Sequence, residues 1–203
     1  YGVFFVIFSL GAKETPKAAN GFLDLSAWRF EDDGVVALDG EWEFYPDRLL
    51  DPEDFAAVSA DGSETSAGRI EVPGAWTSRM SAMGAGTYRL RVQVGDTASV
   101  YGLKTSSIQI SNRIFVNGRV VGGSGHPAED GQSYQAVNRP FAAYFELKPG
   151  WNEIVVHVAN HEFPASGGIN ESIFLGHAAQ IAALRDKATA HDWIKVTAFL
   201  IMG

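Results

Sequence analysis

The chain has 203 residues, 46% of them hydrophobic and 20% charged, which is a globular composition and not a disordered one. A net charge of −8 argues against nucleic acid as the main partner, because a phosphate backbone selects for the opposite sign. Cysteine is absent, which excludes disulfide scaffolds, cysteine nucleophiles and thiolate metal sites together while leaving the redox compartment open.

The first ten residues, YGVFFVIFSL, are uncharged and apolar, and small residues then lead into polar Lys13-Glu14-Thr15-Pro16. A run of ~10 apolar residues is too short to span a bilayer, so 1–12 reads as the remnant of a signal peptide. A buried first strand with alternating Phe4, Val6 and Phe8 is the plainer alternative. Residues 13–37 read as an N-terminal extension.

Strand signals dominate the middle of the chain. Leu38, Trp42 and Phe44 alternate with acids, and Tyr88, Leu90, Val92 and Val94 alternate with polar residues over 87–94. Asn117-Gly118 stands between two β-branched runs, and both residues tolerate positive φ, so a hairpin is predicted there. Further strands are predicted over 141–147, 151–159 and 173–175, with His157 facing outward. Trp42, Phe44, Tyr88 and Trp151 read as core. Residues 51–55 read as a helical turn and 59–68 as a loop.

Short strands separated by turns, with no helices alternating between them, make the fold class all-β, a β-sandwich. The sandwich is expected over 38–177, and the helical pattern of 178–187 (AAQIAALRDK) opens a linker helix over 178–192. From Trp193 to Gly203 the sequence grows steadily more apolar and reads as the start of a first transmembrane helix, with Trp193 and Lys195 at the interface. A core-packing C-terminal helix is the alternative. Read together, the two ends imply an exported, membrane-anchored domain.

The motifs of catalysis fail one by one. His161-Glu162 lacks the second His of a zinc-protease helix, and Pro164 would break that helix. Gly122-Gly123-Ser124-Gly125-His126 lacks the last Gly of a nucleophile elbow, and no Gly-rich stretch runs into the Lys-Ser/Thr of a phosphate loop. The five His have no zinc spacing, so no catalytic, metal-binding or cofactor-binding residue is nominated. This fragment reads as a non-enzyme.

A series of phrases carries a resemblance. Leu38-Asp39-Gly40-Glu41-Trp42-Glu43-Phe44-Tyr45 is followed by Val72-Pro73-Gly74-Ala75-Trp76, Gly86-Thr87-Tyr88-Arg89-Leu90 and Phe115-Val116-Asn117-Gly118-Arg119. Asn138-Arg139-Pro140, Val158-Ala159-Asn160-His161, Ser166-Gly167-Gly168-Ile169 and Phe174-Leu175-Gly176 complete the series. In this order they resemble the extracellular domain of bacterial seven-transmembrane receptors with diverse intracellular signalling modules. That resemblance implies a galactose-binding-like jelly roll that binds carbohydrate on the periplasmic or extracellular face of a bacterial membrane, with a receptor homodimer as one assembly open to it.

The early phrases also resemble the sugar-binding domain at the front of family 2 glycosidases, which implies a non-catalytic module of a secreted enzyme. The Ser-Gly-Gly-Ile loop and the helix leading into an apolar end favour the receptor. Glu162-Phe163-Pro164-Ala165 departs from the more basic, His-bearing loop expected of that family, which weakens any binding role for His161. Jelly rolls of this kind often carry a structural calcium, but the acids here show no calcium-loop spacing.

Sugar recognition needs an aromatic platform and planar polar groups, and three loops offer them. The candidates are Trp76 and Arg79 in the first, Tyr134, Asn138 and Arg139 in the second, and Asn160, His161 and Asn170 around the third. Three of them have a plainer reading. Trp76 can cap the core, Arg139 can pair with an acid, and Asn160 can end its strand on backbone hydrogen bonds.

Overall fold

The structure, a computed structural model, describes residues 13–55, 67–95 and 100–189. The predicted signal remnant and the predicted membrane segment lie outside the described residues. Among the described residues no helix is long and apolar enough to cross a membrane.

Two sheets face each other across a hydrophobic core. The larger contains β1 (Phe22–Leu25), β3 (Gly40–Pro46), β4 (Gly68–Val72), β5 (Gly84–Val94), β8 (Ser111–Val116), β9 (Arg119–Ser124) and β11 (Gly150–Asn160). Its order is β4-β3-β5-β11-β8-β9, and β1 runs parallel to the second half of β5, where β3 leaves off. The smaller contains β2 (Val36–Ala37), β6 (Val100–Lys104), β10 (Ala142–Glu146) and β13 (Phe174–His177) in the order β10-β6-β13-β2. A two-stranded ribbon of β7 (Ile108–Gln109) and β12 (Gly168–Ile169) closes one end.

The period-two pattern is realised as read. Trp42, Phe44, Tyr88, Leu90, Ile154 and Val156 point inward from the larger sheet and meet Tyr101, Leu103 and Leu175 of the smaller. The Asn117-Gly118 turn joins β8 to β9 as an antiparallel hairpin. The predicted N-terminal extension is part of the sandwich, because β1 and β2 each join a different sheet. Trp151 departs from the sequence reading: it stands at the start of β11 on the outer face and is 46% exposed.

That outer face is half covered. Glu43, buried on β3, receives Arg89 and Arg91 of β5, and Arg89 also pairs with Glu153 of β11. Burial works against the charge of Arg89, but Glu153 and Glu43 outweigh it and raise its pKa. Residues 50–55 lie across this end, with Leu50 and Phe55 packed on Tyr45, Phe115 and Val155. His157 therefore points out of the sandwich, as expected, yet is only 4% exposed.

On the smaller sheet's outer face lies a helix over 178–189. Gly102 of β6 lets it approach, since a Cβ there would sit 3.1 Å from Cβ of Ile181 and 3.0 Å from the Tyr144 ring. Gln180 accepts the His177 N–H at 2.9 Å, half of a capping box, and donates to the Phe30 carbonyl at 2.6 Å. Ile181 is fully buried, but beyond Leu184 the helix is exposed.

Candidate functional site

The sequence-predicted residues separate into three groups. Trp76 opens the 3-10 turn Trp76–Ser78, is fully buried, and donates its indole N–H to the Ala82 carbonyl at 3.1 Å. Its ring lies so close to Gly167 that a Cβ there would be 2.5 Å away, and its backbone N–H donates to the Gly167 carbonyl. Such a ring offers no face to a ligand. Arg79, just after this turn, is exposed.

Asn160 is fully buried at the end of β11. Its Nδ2 donates to the carbonyls of Ala82, Phe163 and Ser166 at 2.7–2.9 Å, and its Oδ1 accepts the N–H groups of Glu162 and Phe163. The side chain thus ties two loops to a strand and has nothing left for a ligand. His161, next to it, holds the Ala128 carbonyl through Nε2 at 2.9 Å and meets the Tyr134 ring edge-on at 4.9 Å. Tyr134 is nearly buried in a small cluster with Ala85, Ala128 and Ala159, and burial raises its pKa. These two residues pin the 126–136 loop.

Asn138, Arg139 and Asn170 are placed differently. Ser124 Oγ accepts the Arg139 N–H at 2.9 Å and donates to the Val137 carbonyl at 2.8 Å, which fixes the exposed 137–139 loop against β9. Asn138 Nδ2 donates to Ser107 Oγ at 3.0 Å. Asn170 Nδ2 donates to Gln109 Oε1 at 2.6 Å, and Ser166 Oγ donates to the same oxygen.

Asn138 borders a groove of about 830 Å³ between the sandwich and the exposed part of the helix. Its sandwich wall is Lys104, Ser106, Ser107, Asn138, Phe141 and Glu171, and its helix wall is Arg185, Ala188 and Thr189. The floor is held by Thr105, which donates its N–H to the Phe141 carbonyl and accepts the Phe141 N–H on Oγ1. Arg185 pairs with Asp186 on the same helix at 2.8 Å, which raises its pKa. The groove therefore presents two cations, one carboxylate, a carboxamide and three hydroxyls beside an aromatic edge.

Sequence reasoning nominated Asn138, which borders the groove, and Asn170, which lies one residue from it. It missed Lys104, Ser106 and Ser107, whose stretch of 100–107 carries no strong period, and Arg185, whose helical pattern does not say what that part of the helix faces. Among the described residues there is no group of three or more His, Asp or Glu able to hold a metal ion.

No family model matches the chain, and no curated protein matches it. Solved structures do resemble it. The GH2 β-galacturonidase of Eisenbergiella tayi aligns over 70% of this chain and 24% of its own, at 19% identity and a TM-score of 0.46. The β-glucuronidase of Ruminococcus gnavus aligns over 70% and 28%, at 17% identity and a TM-score of 0.49. A putative β-galactosidase of Bacteroides fragilis aligns over 70% and 22%, at 22% identity and a TM-score of 0.49. The matched part is thus roughly a quarter of each neighbour.

Proposed function

We propose that the chain is the extracytoplasmic sensing domain of a membrane receptor, which binds a carbohydrate-like small molecule in the groove beside the 178–189 helix. One observation carries this reading: the groove is built jointly by the sandwich and by the exposed part of the helix. Carboxamide, hydroxyl and guanidinium groups suit a polyhydroxylated ligand, and Phe141 and Pro140 supply its apolar wall. A ligand spanning both walls binds the docked helix better than the undocked one, which is the differential affinity that signalling requires.

The alternative is a sugar-binding module of a secreted glycoside hydrolase, which shares the ligand class but gives the helix no role. Binding to the folded state raises apparent stability, so thermal unfolding is measured against a panel of neutral and uronic mono- and oligosaccharides. At least one is expected to raise Tm by a few degrees, and Asn138→Ala, at an exposed position, is expected to abolish most of that rise. A panel without any shift overturns the reading, and an equal shift in the variant removes the site from the groove.

A further inference from the structure

Among the described residues nothing covers the other end of the larger sheet's outer face, and its side chains are not used by the groove. Trp151 is 46% exposed and Phe22 38%, and their rings meet edge to face with centroids 5.4 Å apart. Large aromatics left this exposed, side by side on a sheet, are uncommon without a partner.

The setting is rigid and polar. Strand register places Phe22 beside Arg91 and Arg91 beside Glu153, so the three form one row across β1, β5 and β11. The Arg91 guanidinium lies over the Phe22 ring at 3.8 Å and is held from behind by the buried Glu43. Asn152 accepts from Asn117 Nδ2 and from the Lys148 N–H, and it donates back to the carbonyls of Lys148 and Gly150. This lattice fixes the two turns at 117–118 and 149–150 against each other beside the indole. Trp151, Arg91, Asn117, Lys148 and Glu153 border a shallow, open hollow of about 300 Å³.

We infer that this face is a second binding surface, one that takes an extended saccharide through stacking of a pyranose ring on Trp151. The C–H face of a pyranose matches an exposed indole, and the Lys148 amine with the partly exposed Glu153 and Arg91 can hydrogen-bond ring hydroxyls. A flat apolar protein contact would instead desolvate the Lys148 ammonium beside the indole, a charge that no described residue pairs. The ligand is an oligomer because the hollow does not end at Lys148. Asn117 and Lys148 also border a larger hollow of about 670 Å³ that continues around the sandwich edge to Val120 and Tyr144. A chain of sugars has room to follow it.

The surface shares no residue with the groove, so the two stand or fall separately. The test is a titration of the uniformly 15N-labelled chain with oligosaccharides of xylose, glucose, galactose and galacturonate, each four or more units long. The indole N–H signal of Trp151, assigned with Trp151→Phe, is expected to move with at least one probe while those of buried Trp42 and Trp76 stay still. Trp151→Ala is expected to weaken that probe at least about tenfold, with far-UV circular dichroism and Tm confirming the fold. The proposal is overturned if no probe at millimolar concentration moves the signal, or if Trp151→Ala binds as tightly as the parent. It is also overturned if sedimentation shows a dimer that Trp151→Ala dissociates, since the face would then belong to a second copy of the chain. Asn138→Ala is expected to leave Trp151 binding unchanged, which separates this surface from the groove.

Discussion

At the scale of single residues, the phrases that carry the family resemblance turn out to be packing solutions. Val-Pro-Gly-Ala-Trp and Ser-Gly-Gly-Ile look like separate loop motifs, yet they meet: the Gly74 N–H donates to the Ile169 carbonyl and Trp76 stacks on Gly167. Asn160 belongs to the same construction. A buried Asn at a strand end was legible as a backbone cap, but the loops it would join were not, because their contacts are 78 and 6 residues away. Replacing it separates two effects. Asn160→Ala removes the side-chain partner of three carbonyls and two N–H groups in two part-buried loops and is expected to cost about 1–3 kcal/mol. Asn160→Asp keeps the acceptor but turns the donor into a second oxygen facing three carbonyls, so it is expected to cost more than Ala at neutral pH. Urea denaturation of both variants checks the order, and an Asp variant as stable as the parent contradicts the hydrogen-bond assignment.

Between elements, the decisive contacts are those where a loop or helix lies on the outside of a sheet, and these were the least legible. Alternation gives each strand an inside and an outside, but it does not say what covers the outside. Trp151 and His157 show both outcomes on one strand. Trp151 is left open and His157 is covered by 50–55, with its Nε2 at 2.7 Å from the Leu50 carbonyl. The bond makes Nε2 the donor, since a carbonyl can only accept. Burial lowers the His157 pKa from its ordinary 6.5; Leu50 and the nearby Asp51 and Asp54 oppose this, and Arg113 reinforces it. Below about pH 6.5 the unfolded chain binds a proton that the folded chain refuses, so this histidine's share of stability is complete above that pH and lost as pH falls towards the lower folded value. His157→Gln can still donate to Leu50 but does not titrate. The stability of the parent relative to this variant is therefore expected to fall as the pH is lowered through about 6.5, and a pH-independent difference in urea unfolding contradicts the assignment.

Over the whole molecule, the sandwich was readable and the joint was not. The helix announces itself in AAQIAALRDK, and the strand beneath it does not, because Gly102 interrupts the pattern of β6. That glycine is also what lets the helix dock, so the feature that hid the strand from view is the one that builds the groove. Gly102→Val puts this joint to the test. A valine drives its methyl groups into Ile181 and Tyr144, already 3.1 and 3.0 Å from a bare Cβ, and is expected to cost about 1–3 kcal/mol at the joint. Hydrogen exchange over 178–189 is then expected to speed up while β5 and β11 keep their protection. A saccharide that stabilises the parent is expected to slow exchange at 104–107, 138–141 and 182–189 together, because it touches both walls. In Gly102→Val the same saccharide should bind several-fold more weakly, since part of its binding energy goes into restoring the helix to its seat. If instead the variant binds as tightly as the parent and the ligand leaves 182–189 untouched, the helix takes no part in recognition. The sugar-binding module of a glycoside hydrolase is then the better reading.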